Sequence, residues 1–179
     1  LRLGLKSELT RSVCRDEHIM TLIEDIVKPE IAIYSAKLFE KNPHDTQICH
    51  WHQDDAYYTQ HSVCDCRMSA WIPLQECDEK NGCVWVVPGS HKHGLRSANM
   101  IGDDTGHCEL AFAHGTADLE GAVPVPMKAG TVLLFHALTA HRSLGNHTNR
   151  PRRSFIISYQ DAVTKRGNKD QHTILRAAE

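Results

Sequence analysis

His52 and Asp54 stand two residues apart in the run His50-Trp51-His52-Gln53-Asp54-Asp55, and a third candidate ligand, His141, lies 87 residues beyond Asp54. Two imidazoles and one carboxylate make the ligand set of a mononuclear non-haem iron(II) site that keeps positions open for oxygen chemistry. The spacing imposes a geometry. On a β-strand, residues i and i+2 point to one face with Cα atoms roughly 6–7 Å apart. On a helix a two-residue spacing diverges. Trp51, Tyr57 and Tyr58 are β-formers and no helical apolar stripe crosses the segment, so a strand carrying both ligands is expected. Alone, the His-x-Asp pair arises by chance in many chains, and its companions decide its meaning.

The companions lie after His141. The stretch from His141 to Arg153 leads into an apolar strand and holds Arg142, Arg150, Arg152 and Arg153. A guanidinium entering that strand can bind a carboxylate through two charge-assisted hydrogen bonds, as a dicarboxylate co-substrate opposite a metal requires. Pleat alternation sends Arg153 to the face opposite Arg152, and Arg150 precedes Pro151 in a turn.

Other reactive residues have plainer readings. His50 shares a strand face with His52 and is expected in the pocket wall rather than as a fourth ligand. His136 is a rival third ligand, five residues before His141. His91 and His93 flank a turn and are expected at the surface. Asp55 should face away from the metal and serve structure. Tyr57 and Tyr58 fit the pocket wall or ordinary packing equally well. Cys64 and Cys66, in an expected loop, read as plain thiols.

The elements that must position these residues are mostly short strands. Residues 16–27 place Ile19, Met20, Ile23, Ile26 and Val27 on one helical face, and Lys28-Pro29 stops that helix. Strands are expected at 31–40, at the His52 segment, at 69–74, 83–87 and 153–159, with strand, turn and strand over 124–135. In the last strand Phe155, Ile157 and Tyr159 share a face. Asn81-Gly82 and Ala129-Gly130 are turn signals. Residues 92–123 are expected to be an irregular binding loop or lid. Many short strands with little helix indicate a β-sandwich or jelly roll.

The chain has 179 residues, 41% of them hydrophobic, which fits a single domain with an ordinary core. A net charge of −2 gives no electrostatic case for nucleic acid or an anionic membrane. No apolar run approaches the ~20 residues of a membrane span. Seven cysteines, an odd number without any Cys-x-x-Cys pair, suggest mostly buried, reduced thiols and a cytoplasmic protein, not a disulfide framework or a zinc site.

The segments WHQDDAYY, AWIPL, NGCVWVVPGSHKHG, KAGTVLLFHALTAH and RSLGNHTNRPRRSFIISY resemble the phytanoyl-CoA dioxygenase family of iron(II)/2-oxoglutarate oxygenases, from about Lys37 to Tyr159. The resemblance implies a mainly β fold, a double-stranded β-helix with flanking helices. It implies Fe(II) held by His52, Asp54 and His141. It implies 2-oxoglutarate with its distal carboxylate on Arg152 and Ser143, and a pocket containing Trp71 and Lys37. It further implies O2 as co-substrate, hydroxylation of a small molecule, and release of succinate and CO2. Related halogenases lack the carboxylate, so Asp54 favours hydroxylation over halogenation. Desaturation, epimerisation, ring formation on the same core, or a non-catalytic metal-binding relative are the alternatives. Two departures stand out. Arg142 occupies a position where the family often has glycine, and its side chain is expected to point to solvent. The family also has more chain at both ends, so residues 1–179 are expected to be one oxygenase domain trimmed at each side. Substrate choice is expected to reside in loops 59–67 and 92–123.

Overall fold

The computed structural model describes residues 7–27, 30–58, 66–101, 110–113, 119–162 and 173–176. Two short helices open the chain, α1 (Glu8–Cys14) and α2 (Glu17–Glu24). Asp16 caps α2 by accepting the His18 N–H at 3.0 Å. Ile19, Met20, Ile23 and Val27 are buried as the apolar spacing requires, whereas Ile26 is 48% exposed and falls off the packed face. Lys28 and Pro29 lie outside the described residues.

Among the described residues eleven strands follow: β1 (Ile31–Lys41), β2 (Cys49–His52), β3 (Arg67–Pro73), β4 (Val84–Val86), β5 (Ala98–Met100), β6 (Leu110–Phe112), β7 (Val123–Val125), β8 (Leu133–His136), β9 (His141–Ser143), β10 (Arg152–Asp161) and β11 (Thr173–Arg176). A larger sheet runs β11-β1-β10-β3-β8 and a smaller one β2-β9-β4-β7, with β5 and β6 paired separately. This is the expected jelly-roll architecture. The expected irregular stretch 92–123 thus contains a two-stranded ribbon, Ala98–Met100 against Leu110–Phe112. Such short pieces lie below the length at which alternation is legible.

Two apolar clusters explain the layering. Phe155, Ile157 and Tyr159 of β10 join Ile19, Met20 and Ile23 of α2 on one face of the larger sheet. On its other face Trp71 and Phe135 pack with Cys77, with Cys83 and with Val84, the last of these in the smaller sheet. Because the larger sheet is covered on both sides, all seven residues of β3 are buried.

Of the cysteines, Cys14, Cys77 and Cys83 are free and buried and Cys66 is free and half-buried. Cys49 departs from the expectation of reduced thiols: it is disulfide-bonded. Cysteine spacing carries no information on which sulfurs a fold brings within bonding reach. Cys64 and Cys108 lie outside the described residues.

Candidate active site

His52 ends β2 and His141 begins β9, and the two are direct cross-strand partners. Their rings are 4.2 Å apart, centroid to centroid. Asp54 arrives differently from expectation. The strand ends at His52, and Asp54 sits in the turn before a one-turn helix, α3 (Asp55–Tyr58). The Asp54 carbonyl accepts the Tyr57 N–H at 3.0 Å. Tyr57 and Tyr58, β-formers by propensity, are therefore helical, because the turn rather than the side chains sets the backbone here. The turn still aims the carboxylate at the histidines. Asp54 Oδ1 lies 3.9 Å from His52 Nε2 and 3.6 Å from His141 Nε2. All three ligand atoms fall within 4.8 Å of one another.

The histidines are oriented by backbone. His52 Nδ1 lies 2.7 Å from the His50 carbonyl and His141 Nδ1 lies 2.9 Å from the Thr139 carbonyl. A carbonyl can only accept, so each Nδ1 carries the proton and each Nε2 lone pair faces the common point. Burial first, then the charge of His141, holds the His52 imidazole down to about 4, with Asp54 pulling the other way. The His52 ring is thus neutral at physiological pH, the form a metal requires. Ser69 donates to Asp54 Oδ2 at 2.7 Å, leaving Oδ1 toward the imidazoles. Ser69 escaped notice in the sequence, although its two-residue spacing from Trp71 places it on the same face.

Gln53, between the ligands and fully buried, ties three loops together. Its amide donates to the Gly94 and Leu138 carbonyls at 2.9 and 2.7 Å and accepts the Arg96 N–H at 2.8 Å. Asp55 pairs with buried Arg67, which also donates to Gln160 and stacks over Tyr34 and Tyr58. Burial pushes the Asp55 carboxyl up while Arg67 pulls it down.

Among the described residues the other histidines stay out of the cluster. His50 is exposed and contributes its carbonyl alone to the site. His136 stacks with His91, centroids 5.8 Å apart, and accepts the Leu138 N–H at Nδ1. His93 is exposed.

A cavity of about 320 Å³ extends from the three ligand residues. Arg152, Trp71, Ser143 and Lys37 line it. Arg152 is 3% exposed, donates to Ser154 at 2.9 Å and stands 5.6 Å over the Trp71 ring. Its Nε is buried without a partner. A desolvated guanidinium with an unused donor is suited to an anionic ligand. Lys37 holds its ammonium 5.6 Å from the Tyr58 ring centre. Arg153 pairs with Glu40 on the other face and Arg150 is exposed, so Arg152 is the arginine of this set that enters from β10. Arg142 does not project freely into solvent as expected. Its guanidinium is half-buried, 4.8 Å over Trp51 and 5.3 Å over Trp85. Indole faces on neighbouring strands attract a cation that sequence order gives no reason to place there.

A cavity lined by three converging potential ligand residues and by a dehydrated guanidinium fits the class of double-stranded β-helix proteins whose core can hold a metal ion. The profile of the phytanoyl-CoA dioxygenase (PhyH) family matches residues 2–154, and the chain belongs to that family. It is 36% identical over 98 residues to Phytanoyl-CoA dioxygenase 1 of Oryza sativa subsp. japonica, covering 53% of this chain and 32% of that protein. It is 31% identical over 156 residues to "Probable alpha-ketoglutarate-dependent hypophosphite dioxygenase" of Stutzerimonas stutzeri, covering 84% of this chain and 52% of that one. The chain therefore spans about half or less of these relatives. The crystal structure of the epimerase SnoN in complex with Fe3+, alpha ketoglutarate and nogalamycin RO superposes with a TM-score of 0.76 at 22% identity, over 98% of this chain and 77% of that chain. At that identity the likeness is one of fold.

Proposed function

We propose that residues 1–179 form one oxygenase domain that uses Fe(II), 2-oxoglutarate and O2 to hydroxylate a small organic substrate. The observation that carries this reading is the meeting of His52 Nε2, His141 Nε2 and Asp54 Oδ1 within 4.8 Å of one another. Iron(II) with 2-oxoglutarate and oxygen supplies a two-electron oxidation, coupled to decarboxylation of the co-substrate to succinate and CO2. His52, Asp54 and His141 would hold the metal, two imidazoles and a carboxylate being a ligand set suited to non-haem iron(II) chemistry. Ser69 fixes which Asp54 oxygen ligates. Arg152 and Ser143 bind the distal carboxylate of 2-oxoglutarate. Trp71 packs against the Arg152 guanidinium and keeps water from it, which strengthens that ion pair. Lys37 and Tyr58 line the wall on the β1 side. Asp54 leaves no place for a halide, which supports hydroxylation over halogenation.

Anaerobic addition of iron(II) and then 2-oxoglutarate should produce a visible charge-transfer band, and oxygen should then release succinate across a panel of small substrates. Product analysis separates hydroxylation from desaturation, epimerisation or ring closure. Iron binding without consumption of 2-oxoglutarate under any condition would instead identify a non-catalytic metal-binding relative.

A further inference from the structure

Lys41 stands at the arginine end of the cavity, and none of the roles above uses it. It is the last residue of β1 and the direct cross-strand partner of Arg152. Lys37, Phe39 and Lys41 alternate onto one face of the strand, opposite Ile156, Ser154 and Arg152, and all but Ser154 line the cavity. The Lys41 ammonium donates to the Gln47 carbonyl at 2.7 Å. An ammonium has three donors, so two remain. Beside it, Arg152 Nε is buried and unpaired.

Two cations side by side, partly desolvated, repel each other unless an anion joins them. Asp45 is the acid that acts on both. Glu40, which also borders the cavity, is engaged with Arg153. Lys37 sits further along the same row over Tyr58. The thiols of Cys77 and Cys83 act on Arg152 from the other side, and burial pushes both of them up, so they are neutral. Burial first, then Arg152, holds the Lys41 ammonium down to about 8, and Asp45 opposes them.

We propose that Lys41 is the second cation of the anion seat, binding with Arg152 the distal carboxylate of 2-oxoglutarate, and that it must be protonated to do so. The proposal rests on the reading that Arg152 receives that carboxylate. Lys41 is charged below its folded value, so affinity is full there and declines as pH rises through it. Bound dianion stabilises the charged form and displaces the decline upward.

The test is equilibrium binding of 2-oxoglutarate to the manganese(II)-loaded protein, followed by calorimetry and by tryptophan fluorescence, from about pH 6.5 to about 9.5 to bracket that value. Wild type should lose affinity across the alkaline half of the range. Lys41→Met should bind about 10–100-fold more weakly at neutral pH, the loss of a charge-assisted hydrogen bond, with a flatter pH profile. Lys41→Arg should recover affinity and abolish the alkaline decline. Wild-type affinity and wild-type pH dependence in Lys41→Met would overturn the proposal. So would a lower Tm with an unchanged pH profile, which marks a merely structural tie to Gln47. Arg152→Ala separates the two levels. If it binds normally, the Arg152 reading fails and this proposal with it. If it loses binding while Lys41→Met does not, only the role of Lys41 is lost.

Discussion

At the scale of residues, the candidate centre divides ligation from orientation. Asp54→Ala removes a ligand and should abolish stoichiometric uptake of iron(II) or manganese(II), read by calorimetry. Ser69→Ala removes the donor 2.7 Å from Asp54 Oδ2 but no ligand. It should keep one-to-one binding and weaken it by about 10–100-fold, as losses of outer hydrogen bonds to ligands do. Arg152→Ala should leave metal affinity unchanged and raise the apparent KM for 2-oxoglutarate, because Arg152 lies well along β10 from Ser158, the cross-strand partner of the Ser69 that bonds Asp54. The identities of the three convergent residues were legible in the sequence because few residue types bind iron and their order matched a known pattern. Ser69 and Lys41 were not, since a serine or lysine in a strand has no signature until its neighbour across the sheet is known. Arg142 was misjudged for the same reason: Trp51 and Trp85, which enclose it, lie on β2 and β4, far from it in the chain.

At the scale of elements, positions that tolerate no side chain hold the strands in place. Gly82 has φ +82°, and a Cβ there would lie 2.5 Å from the Leu144 carbonyl oxygen. Gly82→Ala should cost at least about 1–3 kcal/mol in chemical denaturation. It should also weaken metal binding, since Leu144 directly follows the β9 strand that begins with His141. The Asn81-Gly82 turn was readable from composition, whereas the contact with Leu144 needed the fold. Behind the site, Arg67 is 1% exposed and paired with Asp55. Arg67→Met would strand a buried carboxylate and should destabilise by about 3–5 kcal/mol. Strands such as β10 were legible because ten residues give alternation room to show. The helical turn Asp55–Tyr58 was not, because four residues that include two tyrosines carry the signal of a strand.

At the scale of the whole molecule, the metal should act as a ligand of the folded state alone, because its three donors come from β2, the turn before α3, and β9. Manganese(II) at a hundred times its Kd should raise Tm by roughly 5–10 °C in a chain of this size. Chelator should reverse the shift, and Asp54→Ala should show none. Among the described residues no helix is long and apolar enough to cross a membrane. The amide of Gln53 joins the segment between two ligands to Gly94, Arg96 and Leu138. Loops are where a family diversifies its choice of substrate, yet here the loop at Gly94–Arg96 is leashed to the residue between His52 and Asp54. Lengthening the chain at Gly94–Arg96 would slacken the His52–Asp54 turn, so new specificities have freer ground beyond Arg96 than before it.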